Sequence, residues 1–328
     1  MRAIALLAPG KIGLIDRPEP MCGPTDVVVS MRAVGLCGSD LSVYSGATPV
    51  PSHPWVIGHE GGGEIVAVGE EVEYRKPGDV VVIEPNICCF KCGPCKAGQT
   101  SSCTNRRAYG ITEPGIAAER VSVPAAFCWP VSRDASSTTL ASFEPHVVAQ
   151  AAVRRSGVQP GDRCLVIGTG SQGLMLCLQL LSIGVHPFVV EPHAGRLQLA
   201  LELGAQLDQP DTGGYRFVFE SSGARSAFRV ALDATAAGGQ LVLIGQNHKT
   251  VEITTRELVQ RQITIRGSLI YDHPQDFATA ASNSEAQAPQ LEAVLQKRYT
   301  PAQADLACRE AHDVAGKSWI DLTSGWTQ

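Results

Sequence analysis

The chain has 328 residues, which is more than one small hydrophobic core normally holds and predicts two domains. With 44% hydrophobic residues and a formal net charge of −5 it has the composition of a globular protein, and it has no basic run that would bind nucleic acid or an acidic membrane. The apolar N-terminus is interrupted at Pro9-Gly10, and the apolar stretch at residues 174–185 is too short to span a bilayer. We therefore expect a cytoplasmic protein without a nucleic-acid or membrane partner.

Short strands are predicted for most of the first 130 residues. Residues 26–34 and 80–83 are apolar runs, and residues 64–68 alternate between apolar and polar side chains. Frequent glycine and proline residues separate these runs, which favours a small, closed β structure.

Three residues of this region form a candidate catalytic metal site. Cys37 follows the run at residues 26–34, and His59 and Glu60 lie in the glycine-rich stretch 58–63. A thiolate, an imidazole and a carboxylate are a set that a catalytic Zn²⁺ accepts while one position stays open. Any one of these residues taken alone favours the alternative of a glycine-rich turn with a buried histidine.

A second group of residues has the spacing of a structural zinc site, namely Cys89, Cys92, Cys95 and Cys103. The overlapping C-x-x-C units place thiolates on a tight knuckle, and the last cysteine can complete a closed tetrahedral set. A redox C-x-x-C is the alternative, but it usually requires a βαβ context that this region lacks. Eleven cysteines in a reducing compartment also favour metal ligation over disulfides.

A dinucleotide-binding pattern begins after residue 160. The apolar strand 164–167 leads into a G-x-G-x-x-G sequence, a helix follows at residues 174–183, and a second strand ends in Glu191. The glycines allow a pyrophosphate to approach the helix N-terminus, and an acid in the place of Glu191 binds ribose hydroxyls and repels a 2′-phosphate, which favours NAD over NADP. The candidate cofactor-binding residues are Gly168, Gly170, Gln172, Gly173, Glu191, Arg196 and Gly245.

Strands and helices continue to alternate up to about residue 266, which predicts a doubly wound parallel sheet. Residues 282–289 are polar and predict a loop. The C-terminal segment is predicted to add one or two helices and a final strand at residues 319–322.

Together these features resemble the zinc-containing medium-chain alcohol dehydrogenase family over nearly the whole chain. The zinc signature of that family, G-H-E-x-x-G followed by a spaced glycine and a small aliphatic residue, is met by residues 58–63, Gly69 and Val72. The cysteine knuckle resembles the structural-zinc lobe of the family. Residues 143–145 resemble the sorbitol, threonine and butanediol dehydrogenase branch, which makes Glu144 a further candidate for the catalytic zinc shell.

The resemblance implies the α/β fold class, with two domains and a defined chemistry. Residues 1–145, completed by residues 280–328, would form a GroES-like β-rich catalytic domain, and residues 146–279 a Rossmann NAD-binding domain. Family members carry catalytic and structural zinc and are usually homodimers or homotetramers. The implied reaction interconverts a secondary alcohol (a polyol, sugar, cyclitol or diol) and its ketone. Zinc held by Cys37, His59 and either Glu60 or Glu144 would bind the hydroxyl, Ser39 would take its proton, and hydride would pass to NAD.

Two positions depart from the family pattern, and three alternatives remain open. Ser42 stands where a relay histidine often follows Ser39, and Ile270 precedes Tyr271 where polyol dehydrogenases commonly have arginine. An L-threonine 3-dehydrogenase-like activity fits the same branch. A zinc-free quinone or enoyl reductase is a second alternative, although such an enzyme would lack both sets of zinc ligands. A non-catalytic nucleotide-binding relative is the third, although it would not need the catalytic ligands.

Overall fold

The computed structural model describes residues 1–207 and 214–327, and the contacts within it divide the chain into two units. The first unit contains Met1–Glu144 and Asp272–Gln328, and the second contains Pro145–Tyr271. The chain thus leaves the first unit, forms the second and then returns to the first. Over the described stretches, no helix has both the length and the apolar content needed to cross a membrane.

The N-terminal part of the first unit is built mainly from strands. These are β1 (Arg2–Ala8), β2 (Lys11–Asp16), β3 (Asp26–Gly35), β4 (Trp55–Val56), β5 (Glu60–Val68), β6 (Val80–Ile83), β7 (Asn86–Ile87), β8 (Arg107–Ala108), β9 (Arg120–Pro124) and β10 (Cys128–Pro130). The helices are α1 (Gly38–Tyr44), α2 (Gly93–Lys96) and α3 (Ser137–Ser156), the last of which runs on into the second unit.

The second unit alternates strands with helices, as the sequence predicts. Its strands are β11 (Cys164–Ile167), β12 (Phe188–Val190), β13 (Gln206–Leu207), β14 (Tyr215–Glu220), β15 (Thr235–Leu243) and β16 (Thr264–Gly267). Its further helices are α4 (Ser171–Ser182), α5 (Ala194–Glu202), α6 (Arg225–Ala234) and α7 (Thr255–Arg261).

The C-terminal part completes the first unit with helices and two strands. The elements are α8 (Gln275–Ser282), α9 (Ser284–Val294), β17 (Leu295–Tyr299), α10 (Ala304–Glu310) and β18 (Lys317–Asp321). Strand β18 pairs antiparallel with β3, with Ile320 opposite Val34. The end of the chain therefore lies beside the strand that leads to Cys37.

The main sheet of the first unit, as far as the described residues show it, has seven strands. Strands β10, β6, β5, β3, β18 and β17 are neighbours in that order, and β9 also pairs with β3. Strands β3 and β5 approach so closely that a Cβ at Gly63 would lie 1.9 Å from the Ser30 carbonyl oxygen. Only glycine fits at that position, which explains the glycines at the start of β5.

The sheet of the second unit is parallel, and among the described residues its strand order is β13-β12-β11-β14-β15-β16. Its strands are buried against helices, as Leu165, Val218 and Leu241 illustrate, each with no exposed surface. The strand order reverses between β11 and β14, and open α/β sheets bind ligands at the carboxyl ends of strands next to such a reversal. The expected doubly wound, Rossmann-like sheet is confirmed.

The predicted loop at residues 282–289 is wrong, because α9 begins at Ser284 and continues through Pro289. Polar residues and a proline are typical of loops, and for this reason the sequence pattern predicts a loop there. Leu291 and Val294, three residues apart, are buried and anchor one face of the helix, and Glu285 lies in its first turn, where a negative charge is favourable.

Residues 272–279, which the sequence analysis assigned to the nucleotide domain, lie in the first unit. Asp272 accepts the backbone N–H of Ser101 at 3.0 Å. The Nδ1 of His273 lies 2.9 Å from Oε2 of the buried Glu84. These polar contacts with the N-terminal part place the boundary at residue 272 rather than at residue 280.

Candidate metal and nucleotide sites

Cys37, His59 and Glu60 come together because strands β3 and β5 lie side by side. Cys37 follows the end of β3 and is the N-cap of α1, whereas His59 immediately precedes β5 and Glu60 begins it. One sulfur, nitrogen or oxygen atom of each residue lies within 4.8 Å of the other two. This is the donor set expected for a catalytic zinc, at distances that one ion can bridge.

Glycine is required on both strands for this approach. A Cβ at Gly35, which is paired with Glu60, would lie 2.4 Å from the Ala141 carbonyl oxygen and 2.8 Å from Glu60 Oε2. Gly58 has a φ of +84°, a left-handed conformation that side chains disfavour, and it turns the chain directly before His59. The glycine-rich pattern therefore allows the ligands to meet.

Asp40, which the sequence analysis did not select, links the two ligand segments. Its Oδ1 lies 3.5 Å from His59 Nδ1, and its Oδ2 accepts the backbone N–H of Cys37 at 2.9 Å. Burial lowers the pKa of His59, but the charges and hydrogen bonds of Asp40 and Cys37 outweigh burial and raise it well above its ordinary value. A carboxylate in this place fixes the ring orientation of a metal-binding histidine.

Lys317, also not selected from the sequence, forms a buried ion pair with Glu60. Both side chains are almost fully buried, and the Lys317 ammonium also donates to the Leu36 carbonyl oxygen at 2.9 Å. Burial lowers the pKa of Lys317, but Glu60, together with the charges of Cys37 and Asp40, outweighs this effect and raises it above the ordinary 10.5. Lys317 thereby holds the Glu60 carboxylate beside Cys37 and His59.

The remaining predicted residues of this site lie at different distances from it. Ser39 Oγ is 3.3 Å from His59 Nε2. Glu144 is the last residue of the first unit and is buried, but among the described residues its carboxylate is not part of the group that lies within 4.8 Å. A role for Glu144 at the metal stays a prediction.

Two sequence signals could have pointed to the missed residues. Asp40 stands three residues after Cys37, the spacing at which a side chain returns to the helix N-cap. Lys317 lies two residues before the apolar pair Trp319-Ile320, and a lysine this close to the apolar centre of a strand is unusual unless it has a buried partner.

The four knuckle cysteines also converge, with their sulfur atoms within 4.8 Å of one another, namely those of Cys89, Cys92, Cys95 and Cys103. Cys92 is the N-cap of α2, and hydrogen bonds from the backbone N–H groups of Cys95 and Thr104 lower its pKa to about 6. The Cys89 backbone N–H donates to the Cys103 sulfur at 3.3 Å. Amide donors that stabilise thiolates suit a closed four-cysteine zinc site.

The glycine-rich loop joins β11 to the N-terminus of α4. Gly168 has a φ of +83°, and a Cβ at Gly173 would lie 1.9 Å from the Gly168 carbonyl oxygen. A Cβ at Gly170, in contrast, would meet no atom of the described residues within 4 Å apart from its own chain neighbours. This open position at a helix N-terminus leaves room for the pyrophosphate of a dinucleotide.

Glu191 lies beside this loop and is held by it. Its Oε2 accepts the Thr169 backbone N–H at 2.7 Å, and its Oε1 accepts the His193 backbone N–H at 2.9 Å. His193 in turn caps α5 by accepting the backbone N–H of Arg196 at 3.2 Å. The carboxylate is thus fixed at the carboxyl end of β12.

The other two candidate cofactor residues lie near the same edge of the sheet. Gln172, in the first turn of α4, donates its side-chain N–H to the Pro145 carbonyl oxygen at 3.2 Å. Gly245 follows β15, and a Cβ there would lie 2.1 Å from the Gly223 nitrogen. The loops after β14 and β15 are therefore packed closely together.

Comparison with known proteins agrees with this geometry. Residues 23–133 match the alcohol dehydrogenase GroES-like domain, and residues 173–286 match the zinc-binding dehydrogenase domain. The chain is 31% identical over 287 residues to an L-threonine 3-dehydrogenase of Pectobacterium carotovorum, covering 81% of this chain and 83% of that one. It is 33% identical over 276 residues to a sorbitol dehydrogenase of Arabidopsis thaliana, covering 77% of this chain and 76% of that one.

A crystal structure of 2R,3R-butanediol dehydrogenase from Bacillus subtilis superposes with a TM-score of 0.88 at 26% identity, covering 98% of this chain and 99% of that one. The two matched domains and the identity to these relatives extend over most of the chain. The protein therefore belongs to the zinc-containing medium-chain alcohol dehydrogenases, a family of NAD(P)-dependent oxidoreductases.

Proposed function

We propose that this protein interconverts a secondary alcohol and its ketone, with NAD as the hydride carrier. The observation that carries the proposal is the convergence of Cys37, His59 and Glu60 in a chain that also has a dinucleotide loop. A thiol, an imidazole and a carboxylate whose donor atoms lie within 4.8 Å of one another are a donor set that a catalytic zinc accepts. A separate four-cysteine group already offers a structural site, which argues against a non-catalytic relative and against a zinc-free reductase.

The side chains divide the chemical tasks among them. Cys37, His59 and Glu60 would hold the zinc, which when bound polarises the substrate oxygen as a Lewis acid. Ser39, whose hydroxyl lies 3.3 Å from the His59 ring, would act as a relay that accepts the proton of the alcohol while it passes its own hydroxyl proton on to water. Asp40 and Lys317 keep the ring and the carboxylate in place.

For the carboxylate ligand we propose Glu60, with Glu144 as a group that borders the site. Glu60 already lies with the other two donors, and its ion pair with Lys317 does not prevent one oxygen from facing a metal. Zinc analysis of Glu60→Gln and Glu144→Gln separates the two, because the true ligand is the one whose loss lowers the bound catalytic zinc.

NAD is the proposed cofactor rather than NADP. Glu191 is fixed by two backbone N–H groups at the end of β12, where the adenosine ribose of a dinucleotide is expected. A carboxylate there accepts hydrogen bonds from both ribose hydroxyls and repels a 2′-phosphate. Selection against NADP follows from the fixed position of the Glu191 charge.

For the substrate we propose a neutral polyol, sugar, cyclitol or diol, with L-threonine as the second candidate. Relatives at similar identity carry both kinds of name, a sorbitol dehydrogenase and an L-threonine 3-dehydrogenase. The two classes differ in charge, because threonine presents an ammonium and a carboxylate. A direct comparison of substrates therefore decides between them.

We also propose that the protein works in the cytoplasm as a homodimer or homotetramer, as its resemblance to the family implies. Light scattering coupled to size-exclusion chromatography measures the mass of the assembly. A monomer at micromolar concentration would contradict this part of the proposal.

The test of the main proposal is a substrate panel followed by reduced-nicotinamide absorbance, with NAD⁺ and NADP⁺ in parallel. Sorbitol, xylitol, myo-inositol, 2,3-butanediol and L-threonine cover the proposed classes. Cys37→Ser should abolish turnover and lower the zinc content, whereas Cys22→Ser, at an exposed cysteine, should behave as wild type. Unchanged turnover and zinc content in Cys37→Ser would disprove the assigned site.

A further inference from the structure

Arg155, near the C-terminal end of α3, makes three hydrogen bonds to one short turn. Its Nη1 donates to the Ser268 hydroxyl at 3.1 Å and to the carbonyl oxygens of Leu269 and Ile270 at 3.0 and 2.7 Å. Hydrogen bonds from an ionised donor are stronger than those between neutral groups. One guanidinium group thereby fixes the turn at residues 268–270.

The turn depends on such a restraint because Ile270 has an unfavourable backbone conformation. Its φ is +41°, in the left-handed region, where a β-branched residue is a genuine outlier. Strained residues of this kind persist only where their surroundings hold them, and they concentrate at functional sites. The bond from Arg155 to the carbonyl oxygen of Ile270 itself is the shortest of the three.

The turn lies at the carboxyl edge of the parallel sheet, where the nucleotide loop also lies. It follows β16 directly, and the Ser268 backbone N–H donates to the carbonyl oxygen of Leu243, the last residue of β15, at 2.8 Å. Leu269 leaves 44% of its surface exposed there, which is high for a large apolar side chain. The turn therefore presents apolar surface at this edge.

The direction of a bound dinucleotide relates this turn to the cofactor. The pyrophosphate is expected at the loop after β11, and the adenosine ribose at Glu191 after β12. The other half of the molecule then extends in the opposite direction, over the ends of β14, β15 and β16. The turn at residues 268–270 lies on that side.

We infer that Arg155 is a positioning residue for the cofactor: it holds the 268–270 turn in the shape against which the nicotinamide half binds. The inference rests on the proposed binding of NAD along this edge. Arg155 acts through the backbone of the turn and is not assigned a contact with the cofactor. Loss of its hydrogen bonds lets Ile270 relax to a negative φ and moves the carbonyl groups and Leu269 away from the nicotinamide.

The test compares two ligands that share the adenosine half, NADH and ADP-ribose, the second of which lacks nicotinamide. In Arg155→Met the Kd of NADH, from reduced-nicotinamide fluorescence, should rise roughly tenfold, because only a minor fraction of the protein then has the turn in the shape that binds the nicotinamide half. The Kd of ADP-ribose, from calorimetry, should stay within about twofold of wild type, since it does not reach the turn. The Kd of NADH in Arg155→Lys should lie between the values for wild type and Arg155→Met. In Arg154→Met, at the exposed neighbouring arginine, it should match wild type.

A double variant separates this role from general destabilisation. Glycine adopts a positive φ without strain, so Ile270→Gly should make the turn less dependent on Arg155. The double variant Arg155→Met/Ile270→Gly should therefore regain most of the lost NADH affinity. Equal losses for NADH and ADP-ribose in Arg155→Met, or no recovery in the double variant, would overturn the inference. If wild type binds neither ligand, the proposed NAD-dependent function fails as well.

Discussion

The Glu60 carboxylate forms an ion pair with Lys317, both side chains are buried, and we propose the same carboxylate as a metal ligand. The ion pair removes the cost of an unpaired charge before any metal binds. A charged residue from the C-terminal strand β18 thus prepares a ligand that lies more than two hundred residues earlier in the sequence.

Replacement of Lys317 should be strongly destabilising. Lys317→Met leaves the Glu60 charge buried without a partner, which typically costs about 3–5 kcal/mol. The ion pair contributes fully to the free energy of unfolding below the ordinary pKa of lysine. This contribution is lost as the pH rises through the raised pKa of Lys317 in the folded protein. Urea unfolding at neutral pH, followed by circular dichroism, measures the difference.

The matched control for this prediction is Lys317→Met/Glu60→Gln, which removes both charges together. It should recover most of the lost stability, because neutral replacement of a buried pair is often close to neutral in free energy. A single variant as stable as wild type would show that the ion pair does not stabilise the fold.

Replacement of Glu191 should change the choice of cofactor. Glu191→Ser removes the negative charge that opposes a 2′-phosphate, so the ratio of kcat/KM for NADP⁺ to that for NAD⁺ should rise by at least about tenfold. Steady-state kinetics with both cofactors measures the ratio. Glu202→Gln, at an exposed glutamate of α5, is the control, and an unchanged ratio in Glu191→Ser would mean that the carboxylate does not select the cofactor.

At the scale of elements, β11, its glycine loop and α4 form one strand-loop-helix unit. This unit explains why the short G-x-G-x-x-G sequence predicts a nucleotide-binding loop. Each glycine of the loop has a different reason to be there. Gly168 supplies a left-handed turn, Gly173 allows close packing onto Gly168, and Gly170 leaves open space. The first two serve the fold, and the third serves a ligand.

Two alanine substitutions distinguish these roles. Gly170→Ala should fold with less than about 1 kcal/mol of destabilisation, the usual cost at an N-cap, but should lose NADH affinity because its methyl group occupies the pyrophosphate position. Gly173→Ala should destabilise the protein itself, since its Cβ would lie 1.9 Å from a backbone oxygen. Thermal unfolding and NADH titration measure both effects, and full NADH affinity in Gly170→Ala would exclude the expected pyrophosphate position.

Element boundaries show the limits of local patterns. Apolar runs and glycines locate the strand 164–167, the helix after the glycine loop and the strand that leads to Glu191, and β11, α4 and β12 lie there. Helix α9 could not, because its polar residues and Pro289 resemble a loop, and its burial is decided by contacts with the rest of the first unit.

At the scale of the whole molecule, the two units are stabilised in different ways. The second unit has an apolar core between sheet and helices that includes Leu165, Val218 and Leu241. In the first unit, the segment from Cys89 to Cys103 has a short helix, α2, in which no residue is buried. Metal binding is expected to supply the stability that this segment does not obtain from apolar burial.

Removal of zinc should therefore expose one part of the chain selectively. After chelation, trypsin should cleave first at the exposed Lys91 and Lys96, because the released cysteine segment opens locally. Mass spectrometry of the fragments locates the cuts, and re-addition of zinc should restore resistance. Early cleavage in the second unit, at rates equal to those at Lys91 and Lys96, would contradict the difference between the units.

The sequence by itself determined the order of the two folds, the metal-ligand types and the nucleotide loop, because each of these depends on residues close together along the chain. The spacing of Cys89 to Cys103 and the glycines at residues 168–173 are examples, as is the His59-Glu60 dipeptide. Only the tertiary structure brought Cys37 beside His59, added Asp40 and Lys317 to them, and placed Arg155 against the turn at Ile270. These contacts join segments that are far apart in sequence, and they follow from strand pairing and burial, which no local pattern encodes.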